Sequence, residues 1–318
     1  MAMQLILLFP GQGSQKPGMA RDLADASPAA REALEAVDAA LGVPLSALMF
    51  DGPADELTLT HNAQPALLAH GAAAWAAIRD AAAPHVVAAA GHSLGEFTAY
   101  HAAGALTLPA AAQLVRRRGE LMYEAGTSRP GAMAALLGEA ARTVEELCAE
   151  ASREAGAVVP ANYNSPGQVV ISGEIAGVER AMELAKAAGM KRTVRLPVSG
   201  AFHSPLMAPA LAGLEAALDA AQLAAPAFPV WANVTARPVA DVAGARTLLA
   251  EQLTAPVRWT EQVTALAAAH PDALYLELGP GSVLTGLVRK IVPGARTAAC
   301  GTAAEVEALL AQLTQPAV

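Results

Sequence analysis

The sequence predicts an α/β fold in which a parallel sheet is interrupted by a smaller subdomain. Short runs rich in Val, Ile and Leu alternate with Ala-rich helical stretches, as in parallel sheets that are covered by helices. Residues 131–199 follow an order of elements of their own. The 318 residues are 54% hydrophobic and 16% charged, which allows a large core and excludes a mainly disordered chain.

The first 130 residues predict alternating strands and helices. Residues 4–9 and 86–90 are short apolar runs that predict buried strands. Helical periodicity predicts helices over residues 28–41, 64–79 and 110–122. This alternation predicts an α/β fold with a parallel sheet.

Residues 131–199 predict a subdomain of β-α-β-β-α-β order. Its elements are a strand at 132–137, a helix at 143–155, strands at 158–163 and 168–172, a helix at 176–188 and a strand at 193–198. This order is that of the ferredoxin-like unit. We therefore expect a ferredoxin-like subdomain at 131–199, inserted between segments 1–130 and 200–318 of a larger α/β core.

Charge, hydropathy and cysteine content exclude several classes of protein. The net charge of −8 argues against a dedicated nucleic-acid binder, which needs a basic face. Uncharged stretches are rich in Ala and broken by polar residues, so no membrane-spanning helix is expected. The apolar run at 5–9 predicts a strand rather than a signal peptide, because no basic segment precedes it. Cys148 and Cys300 predict neither a disulfide framework nor a metal site. The expected class is a cytoplasmic enzyme.

Residues 91–96 carry the strongest chemical signal. They read Gly-His-Ser-Leu-Gly-Glu between a predicted strand and a predicted helix, the context in which G-x-S-x-G places a serine nucleophile on a tight turn. Ser93 is therefore the candidate nucleophile, and the alternative is a serine in an ordinary strand–helix turn. The N–H of Leu94 lies at the predicted helix N-terminus, where it can bind an anion. Strand alternation predicts that His92 points away from the serine.

A Gly-rich loop follows the first strand and reads Pro-Gly-Gln-Gly-Ser-Gln at 10–15. It matches neither the phosphate-binding loop nor the dinucleotide fingerprint. Glycines let backbone N–H groups approach a ligand closely, so Gln12 is a candidate for a second oxyanion donor opposite Leu94. A plain strand–helix turn explains the loop equally well on its sequence alone.

Two further residues are candidates for activating the serine and binding a substrate. Among the seven histidines, His203 follows a predicted strand in a loop, where open α/β sheets carry functional groups. At about 100° per residue, Arg118 falls inside the apolar face of its predicted helix, unlike the two arginines before it. A buried guanidinium needs a partner. That partner is either a carboxylate of the protein or a substrate carboxylate, which Arg binds bidentately.

Together these residues resemble the malonyl-CoA:acyl carrier protein transacylases and the related acyltransferase domains of fatty-acid and polyketide synthases. The resemblance extends over nearly the whole chain. The matching segments are Phe-Pro-Gly-Gln-Gly-Ser-Gln at 9–15, Gln-Pro-Ala-Leu at 64–67, residues 91–96, Arg-Gly at 118–119, Asn-Tyr-Asn-Ser-Pro-Gly at 162–167, Gly-Ala-Phe-His at 200–203, residues 251–259 and Leu-Gly-Pro-Gly at 278–281. The resemblance implies an acyltransferase with a hydrolase-like α/β core and a ferredoxin-like insert.

The resemblance also implies a role for each matched residue. Ser93 would be the acylated nucleophile, His203 its base and Arg118 the ligand of the malonyl carboxylate. The N–H groups of Gln12 and Leu94 would form the oxyanion hole.

Further residues are implied around these. Gln252 would lie behind His203 and fix its tautomer through a neutral contact. The residues expected beside the site, for lining or for packing, are Gln64, Asn162 and loop 279–281. Malonyl-selective members of the family tend to carry Phe before the histidine, as Phe202 does here, and its ring would collide with an α-methyl group. We therefore expect selectivity for malonyl over methylmalonyl.

The implied reaction moves malonyl from malonyl-CoA to the serine and then to the phosphopantetheine thiol of an acyl carrier protein, without a metal or cofactor. No nucleic-acid or membrane partner is expected, and the protein is expected to be a monomer. Carrier proteins are usually acidic, so docking needs local basic patches on this acidic chain. The candidates are Lys191, Arg192 and Arg195 in the subdomain, and Arg289 with Lys290 after loop 279–281. Solvated surface charges are the alternative.

Competing interpretations remain open. A serine esterase or thioesterase would need an acid between the serine and the histidine in sequence, and the glutamates there lie in the predicted insert. A docking subunit that keeps the fold without the chemistry would not need Ser93, His203 and Arg118 together. A trans-acting acyltransferase of a polyketide synthase or a malonate decarboxylase system would carry the same three residues.

Overall fold

The computed structural model describes residues 3–314, and within them nine strands form two sheets. The strands are β1 (Leu5–Phe9), β2 (Val86–Gly91), β3 (Gly131–Leu137), β4 (Val158–Ser165), β5 (Gln168–Glu174), β6 (Arg192–Arg195), β7 (Val230–Trp231), β8 (Leu274–Glu277) and β9 (Arg296–Ala299). The helices are α1 (Arg21–Ala26), α2 (Pro28–Leu41), α3 (Leu45–Asp51), α4 (Ala54–Thr58), α5 (Thr60–Ala82), α6 (Gly95–Ala102), α7 (Leu108–Ser128), α8 (Val144–Glu154), α9 (Ile175–Ala187), α10 (Leu211–Ala220), α11 (Val242–Glu251), α12 (Trp259–Ala269), α13 (Val283–Ile291) and α14 (Ala303–Leu313).

The larger sheet is parallel and has the order β7-β2-β1-β8-β9. All five side chains of the central strand β1 are buried, as expected of an apolar run in a parallel sheet. The carboxyl ends of β1 and β2 lie side by side, because His92 donates its backbone N–H to the carbonyl oxygen of Phe9 at 3.0 Å. The Gly-rich loop and the serine turn therefore meet at one edge of the sheet.

The smaller sheet is antiparallel and has the order β4-β5-β3-β6. With α8 after β3 and α9 after β5, this is the β-α-β-β-α-β order of the ferredoxin-like unit. Leu147, Val178 and Ile171 pack into an apolar core of this unit alone. A parallel sheet combined with a small antiparallel sheet confirms the predicted fold class. On the same strand pattern we propose the division into 131–199 and the flanking segments 1–130 and 200–318.

Two elements differ from the prediction in ways that matter for the site. Helix α5 begins at Thr60 rather than at Gln64, so the two side chains lie one turn apart on the same face. Strand β6 ends at Arg195 instead of 198, although Leu196 still donates its N–H to the carbonyl oxygen of Met133. The next N–H able to face β3 is that of Val198, because alternate residues of an antiparallel strand face the partner. It donates instead to the carbonyl oxygen of Leu196 at 3.0 Å, so residues 197–198 leave the sheet.

The edge strand of the small sheet is tied directly to the core. Tyr163 donates its N–H to the carbonyl oxygen of Val257 at 2.9 Å, and Val257 donates its own to Ala161 at 2.9 Å. These bonds place β4 beside the segment that follows α11. No helix among residues 3–314 combines the length and the apolar character needed to cross a membrane.

Candidate active site

The serine predicted as a nucleophile lies on a strained turn between β2 and α6. Ser93 has a φ of 53°, in the left-handed region that costs a residue with a side chain about 1–3 kcal/mol. A Cβ at Gly91 would lie 1.9 Å from the carbonyl carbon of Gly95, and a Cβ at Gly95 would lie 2.1 Å from the carbonyl oxygen of Phe9. Both flanking positions therefore require glycine, and the strand–turn–helix context that the motif predicts is present.

His203 contacts the serine directly. Its Nε2 lies 2.7 Å from Oγ of Ser93, while its Nδ1 faces the backbone carbonyl oxygens of Gln252 at 2.9 Å and Ala255 at 3.2 Å. Because carbonyl oxygens only accept, Nδ1 carries the proton and Nε2 is free to accept from the serine hydroxyl. Burial, helped by the charge of Arg118, lowers the pKa of His203 to about 3. The ring is therefore neutral at physiological pH and is oriented as a base.

The contact behind His203 is neutral and is made by the backbone of Gln252 rather than by its side chain. That side chain contacts Arg118 and Ser93 instead. Its Oε1 accepts from Nη2 of Arg118 at 2.9 Å, and its Nε2 donates to the carbonyl oxygen of Ser93 at 3.0 Å. Gln252 thus contacts the histidine, the serine and the arginine at once.

Arg118 projects from the middle of α7 into the interior and is 1% exposed. Its Nη1 donates to Oε1 of Gln64 at 2.7 Å, and its Nη2 donates to Oγ of Ser93 at 3.1 Å as well as to Gln252. None of the ion pairs formed within residues 3–314 includes this guanidinium. Burial lowers the pKa of Arg118 to about 10, so it stays charged at neutral pH with neutral hydrogen-bond partners.

A chain of hydrogen bonds links this arginine to the Gly-rich loop. Because Arg118 can only donate, Gln64 must turn Oε1 towards it, and its Nε2 then donates to Oγ1 of Thr60 at 3.1 Å. The hydroxyl of Thr60 donates in turn to Oε1 of Gln12 at 2.8 Å. The direction of every bond is fixed from the guanidinium outwards, which holds the side chain of Gln12 in one place.

The two expected oxyanion donors lie in the same cavity as the serine. Gln12 and Leu94 both line the cavity that contains Ser93, and Leu94 directly precedes the first residue of α6. Within the described part of the chain, neither backbone N–H donates to a protein acceptor. Both donors are thus available to an oxygen that develops negative charge above the serine.

The cavity itself has a volume of about 450 Å³. Its lining brings together Ser93, His203, Arg118, Gln12, Leu94 and Phe202. Asn162, Met133 and residues 196–198 close it from the side of the small sheet, because β6 ends early. Gln64 and Gln252 are not part of this lining and lie behind Arg118, buried to 1% and 0% exposure. Loop 279–281 packs against the Gly-rich loop instead, since a Cβ at Gly279 would lie 2.6 Å from Cγ of Pro10.

His92 lies at the cavity, although strand alternation predicts that it points away from Ser93. The chain has already left β2 at this residue, so the alternation of a strand no longer applies. Its Nε2 lies 2.9 Å from Oδ1 of Asn164, and its ring packs against Trp259 at 5.6 Å. Burial lowers its pKa. The imidazole therefore joins the serine turn to the edge strand of the small sheet.

Asn233 is a site residue that the sequence did not reveal. Its Oδ1 accepts the backbone N–H of Ser93 at 2.7 Å, and its Nδ2 donates to the carbonyl oxygen of Gly91 at 2.7 Å. It lies in a loop after the two-residue strand β7. No motif surrounds it, so sequence patterns give no signal for its contact with a serine 140 residues away.

Fold and site together define an acyltransferase: the chain belongs to the acyl transferase domain family, which it matches over residues 6–313. Among its relatives, the malonyl CoA-acyl carrier protein transacylase of Bacillus subtilis is 43% identical over 98% of this chain and 98% of that protein. The protein of that name from Salmonella typhimurium is 42% identical over 97% and 99%.

Solved structures that are similar to this chain have related names. The acyl-carrier-protein-S-malonyltransferase of Bartonella henselae has a TM-score of 0.93 at 43% identity and covers 98% of this chain and 100% of that chain. A malonyl-transacylase solved in complex with its type II polyketide acyl carrier protein has a TM-score of 0.92 at 40% identity, covering 97% and 99%.

Proposed function

We propose that this protein transfers the malonyl group from malonyl-CoA to the phosphopantetheine thiol of an acyl carrier protein through a malonyl ester of Ser93. The similarity to malonyl CoA-acyl carrier protein transacylases over 98% of the chain supports this substrate pair. One observation carries the proposal within the site. Nη2 of Arg118 lies 3.1 Å from Oγ of Ser93, so an acyl group on that oxygen meets a buried cation with neutral partners.

The first half-reaction forms the ester. His203 Nε2 takes the hydroxyl proton while Oγ of Ser93 attacks the thioester carbonyl carbon. The resulting oxyanion accepts hydrogen bonds from the N–H groups of Gln12 and Leu94. The carbon–sulfur bond then breaks, and CoA leaves as the thiol after His203 returns the proton to its sulfur.

The second half-reaction reverses these steps with a different thiol. The phosphopantetheine thiol of the carrier gives its proton to His203 Nε2, and its sulfur attacks the ester carbonyl carbon. The bond to Ser93 Oγ breaks, and the serine regains a proton from His203. Each half exchanges a thioester and an ester, so no resident metal or redox cofactor takes part in the proposed mechanism.

Arg118 supplies the selectivity for an acyl group that ends in a carboxylate. A guanidinium binds a carboxylate through parallel N–H donors, and the pairing is strong where water is excluded. We assign Gln64 and Gln252 to holding Arg118 in place, because both accept its N–H groups from behind the cavity. Phe202 narrows the cavity beside His203, which disfavours a methyl branch next to the carboxylate.

Carrier docking is proposed at the end of the small sheet where β3 finishes. Leu137 there pairs with Arg192 of β6 on one side and with Gln168 of β5 on the other. Lys290 reaches this end from α13, with Nζ 3.5 Å from Oε1 of Gln168. The exposed residues of this basic patch are Lys191, Arg192, Arg289 and Lys290. Arg195 is less available, because it pairs with Glu179.

Hydrolysis is the competing activity for this site. A serine hydrolase orients its histidine with a carboxylate, whereas Nδ1 of His203 faces two backbone carbonyl oxygens. This neutral contact stabilises the imidazolium less than a carboxylate would, which makes His203 a weaker base. A thiol loses its proton to a weak base more easily than water does, so the contact supports transfer over hydrolysis. A monomeric enzyme of the cytoplasm that serves fatty-acid or polyketide carriers is the proposed setting, and use by a malonate decarboxylase system requires the same chemistry.

Transfer and hydrolysis are separated by one assay. The protein is mixed with malonyl-CoA and either a holo acyl carrier protein or its apo form, which lacks the thiol, and malonyl-carrier and free malonate are both measured. The proposal predicts malonyl-carrier with the holo form and little malonate in either mixture. Rapid malonate release that is independent of the carrier would identify a thioesterase instead.

A further inference from the structure

Glu96 is a completely buried carboxylate in the first turn of α6, three residues after the serine. Its Oε2 accepts two hydrogen bonds, from the backbone N–H of Asn233 at 3.0 Å and from Nε2 of Gln252 at 2.7 Å. Its Oε1 has no partner within the described residues. Burial raises the pKa of this carboxyl to about 7. The mechanism derived above gives this group no task, although it lies close to the reacting atoms.

The two residues that Glu96 binds are those that hold the backbone of Ser93. Oδ1 of Asn233 accepts the N–H of Ser93 at 2.7 Å, and Nε2 of Gln252 donates to its carbonyl oxygen at 3.0 Å. Amide side chains therefore bind both the backbone N–H and the backbone carbonyl oxygen of Ser93, whose φ is 53°. Oε2 of Glu96 therefore links the backbone of Asn233 to the side chain of Gln252. Both residues are distant from Ser93 in the sequence.

We propose that Glu96 is a positioning residue for the nucleophile: its Oε2 keeps Asn233 and Gln252 where they hold the Ser93 backbone in its left-handed conformation. The inference rests on the proposed function, in which Ser93 carries the acyl group. The acceptor oxygen performs this task rather than the negative charge, because both hydrogen bonds end on the same atom. Glu96 does not touch the acyl group, since it is not part of the cavity lining.

Two substitutions separate the acceptor from the charge. Glu96→Gln keeps the side-chain length and an oxygen at the place of Oε2, with the amide nitrogen at the unpartnered Oε1. Glu96→Asp keeps the charge but withdraws it by one methylene group, so that its oxygen no longer reaches both Asn233 and Gln252. If the negative charge positioned the serine, Glu96→Asp would react faster than Glu96→Gln.

The test measures the rate of malonyl-enzyme formation at saturating malonyl-CoA by rapid quench and intact mass. Glu96→Gln is expected to react within about threefold of wild type, with an unchanged KM. Glu96→Asp is expected to be slower by roughly 10²-fold, the loss that a misplacement of about 1 Å causes, with KM for malonyl-CoA also unchanged. A wild-type rate in Glu96→Asp, or a loss in Glu96→Gln as large as that in Glu96→Asp, would overturn the proposal.

A folding check and a second assay of serine reactivity accompany the rate measurement. Near-ultraviolet circular dichroism shows whether each variant is folded. If Glu96→Asp does not fold, Glu96→Met replaces it, since it keeps a similar length and removes the acceptor for Asn233 and Gln252; the expected loss is the same, and a wild-type rate overturns the proposal. A serine-directed fluorophosphonate gives a second rate that does not depend on the acyl donor. If the wild type forms no malonyl ester, the proposed function is wrong. If Glu96→Asp reacts as fast as Glu96→Gln in either assay, only the proposed role of Glu96 is wrong.

Discussion

The guanidinium of Arg118 lies 3.1 Å from the hydroxyl of Ser93 and forms an ion pair with no carboxylate among residues 3–314. A buried cation without an anionic partner is unfavourable, and two neutral amides and a hydroxyl compensate it only in part. An acyl group with a terminal carboxylate completes the pairing when it is attached to Oγ. The same arrangement gives no advantage to an uncharged acyl group.

Replacing Arg118 with Ala is therefore expected to lower kcat/KM for malonyl-CoA on the order of 10²- to 10³-fold, the effect of removing one partner of a buried charge pair. The loss for acetyl-CoA, which has no carboxylate, is expected to be much smaller. Arg117→Ala is the matched control, because Arg117 is exposed and pairs with Glu120 and Glu124. Equal losses for both thioesters would contradict carboxylate recognition by Arg118.

Phe202 is expected to set the preference for malonyl over methylmalonyl. Its side chain is 5% exposed and lines the cavity next to His203. Excluding one methyl group from such a pocket is worth about 1–3 kcal/mol, so Phe202→Ala should reduce the malonyl preference in kcat/KM by roughly tenfold or more. Val198→Ala removes volume elsewhere in the same cavity and serves as the control. An unchanged ratio in Phe202→Ala would show that another residue selects the acyl group.

The pH dependence of acylation follows from the state of His203. The histidine acts as a base only when neutral, and burial lowers its pKa to about 3, so the neutral form predominates above that pH. We expect kcat/KM for malonyl-CoA to be flat between about pH 5 and 8, without the acid limb near 6.5 of an ordinary histidine. A limb with a midpoint between about 6 and 7 that persists in Glu96→Gln would contradict the assignment.

Glu96 is expected to make the protein less stable as pH rises. Its folded-state pKa of about 7 lies above the ordinary value of 4.5, so the folded state binds the proton more tightly. Its contribution to the free energy of unfolding is complete below pH 4.5 and is lost as pH rises through about 7. Between about pH 5 and 8, the free energy of unfolding in urea should fall more for the wild type than for Glu96→Gln, by an amount on the order of 2 kcal/mol. A difference between the two proteins that does not change with pH would refute the raised pKa.

The basic patch at the end of the small sheet is expected to act on the carrier alone. Reversing Arg289 and Lys290 to Glu should raise KM for the acyl carrier protein and leave KM for malonyl-CoA unchanged, because the patch lies outside the cavity. The effect should weaken with added salt, as expected for exposed charges. Reversing Arg153 of α8 and Lys186 of α9 to Glu makes the same change in net charge at other exposed positions and is the control. If the double reversal leaves the carrier KM at the wild-type value, this patch does not dock the carrier.

Local patterns were sufficient to predict the parts of the site that depend on neighbouring residues. The turn at Ser93 requires glycine two residues before it and two residues after it, because a Cβ at either position would overlap backbone atoms. The inward direction of Arg118 follows from helical periodicity alone. In both cases the relevant geometry is set within one or two turns of chain.

Contacts between distant segments were not predictable in this way. Asn233 and Glu96 hold the serine turn through bonds that span more than a hundred residues, and no spacing rule encodes them. The family resemblance implies a position for Gln252 behind His203, but only the fold decides that its backbone contacts the histidine and its side chain contacts Arg118. The early end of β6 depends on the N–H of Val198, which donates to the carbonyl oxygen of Leu196 rather than to β3.

The central claim is that Ser93, His203 and Arg118 converge to form a malonyl ester on the serine. Intact-mass spectrometry after mixing with malonyl-CoA tests it most directly. We predict a single malonyl adduct on the wild type, which peptide mapping places on Ser93, and no adduct on Ser93→Ala. An unmodified wild type, or an adduct that persists in Ser93→Ala, would contradict the account.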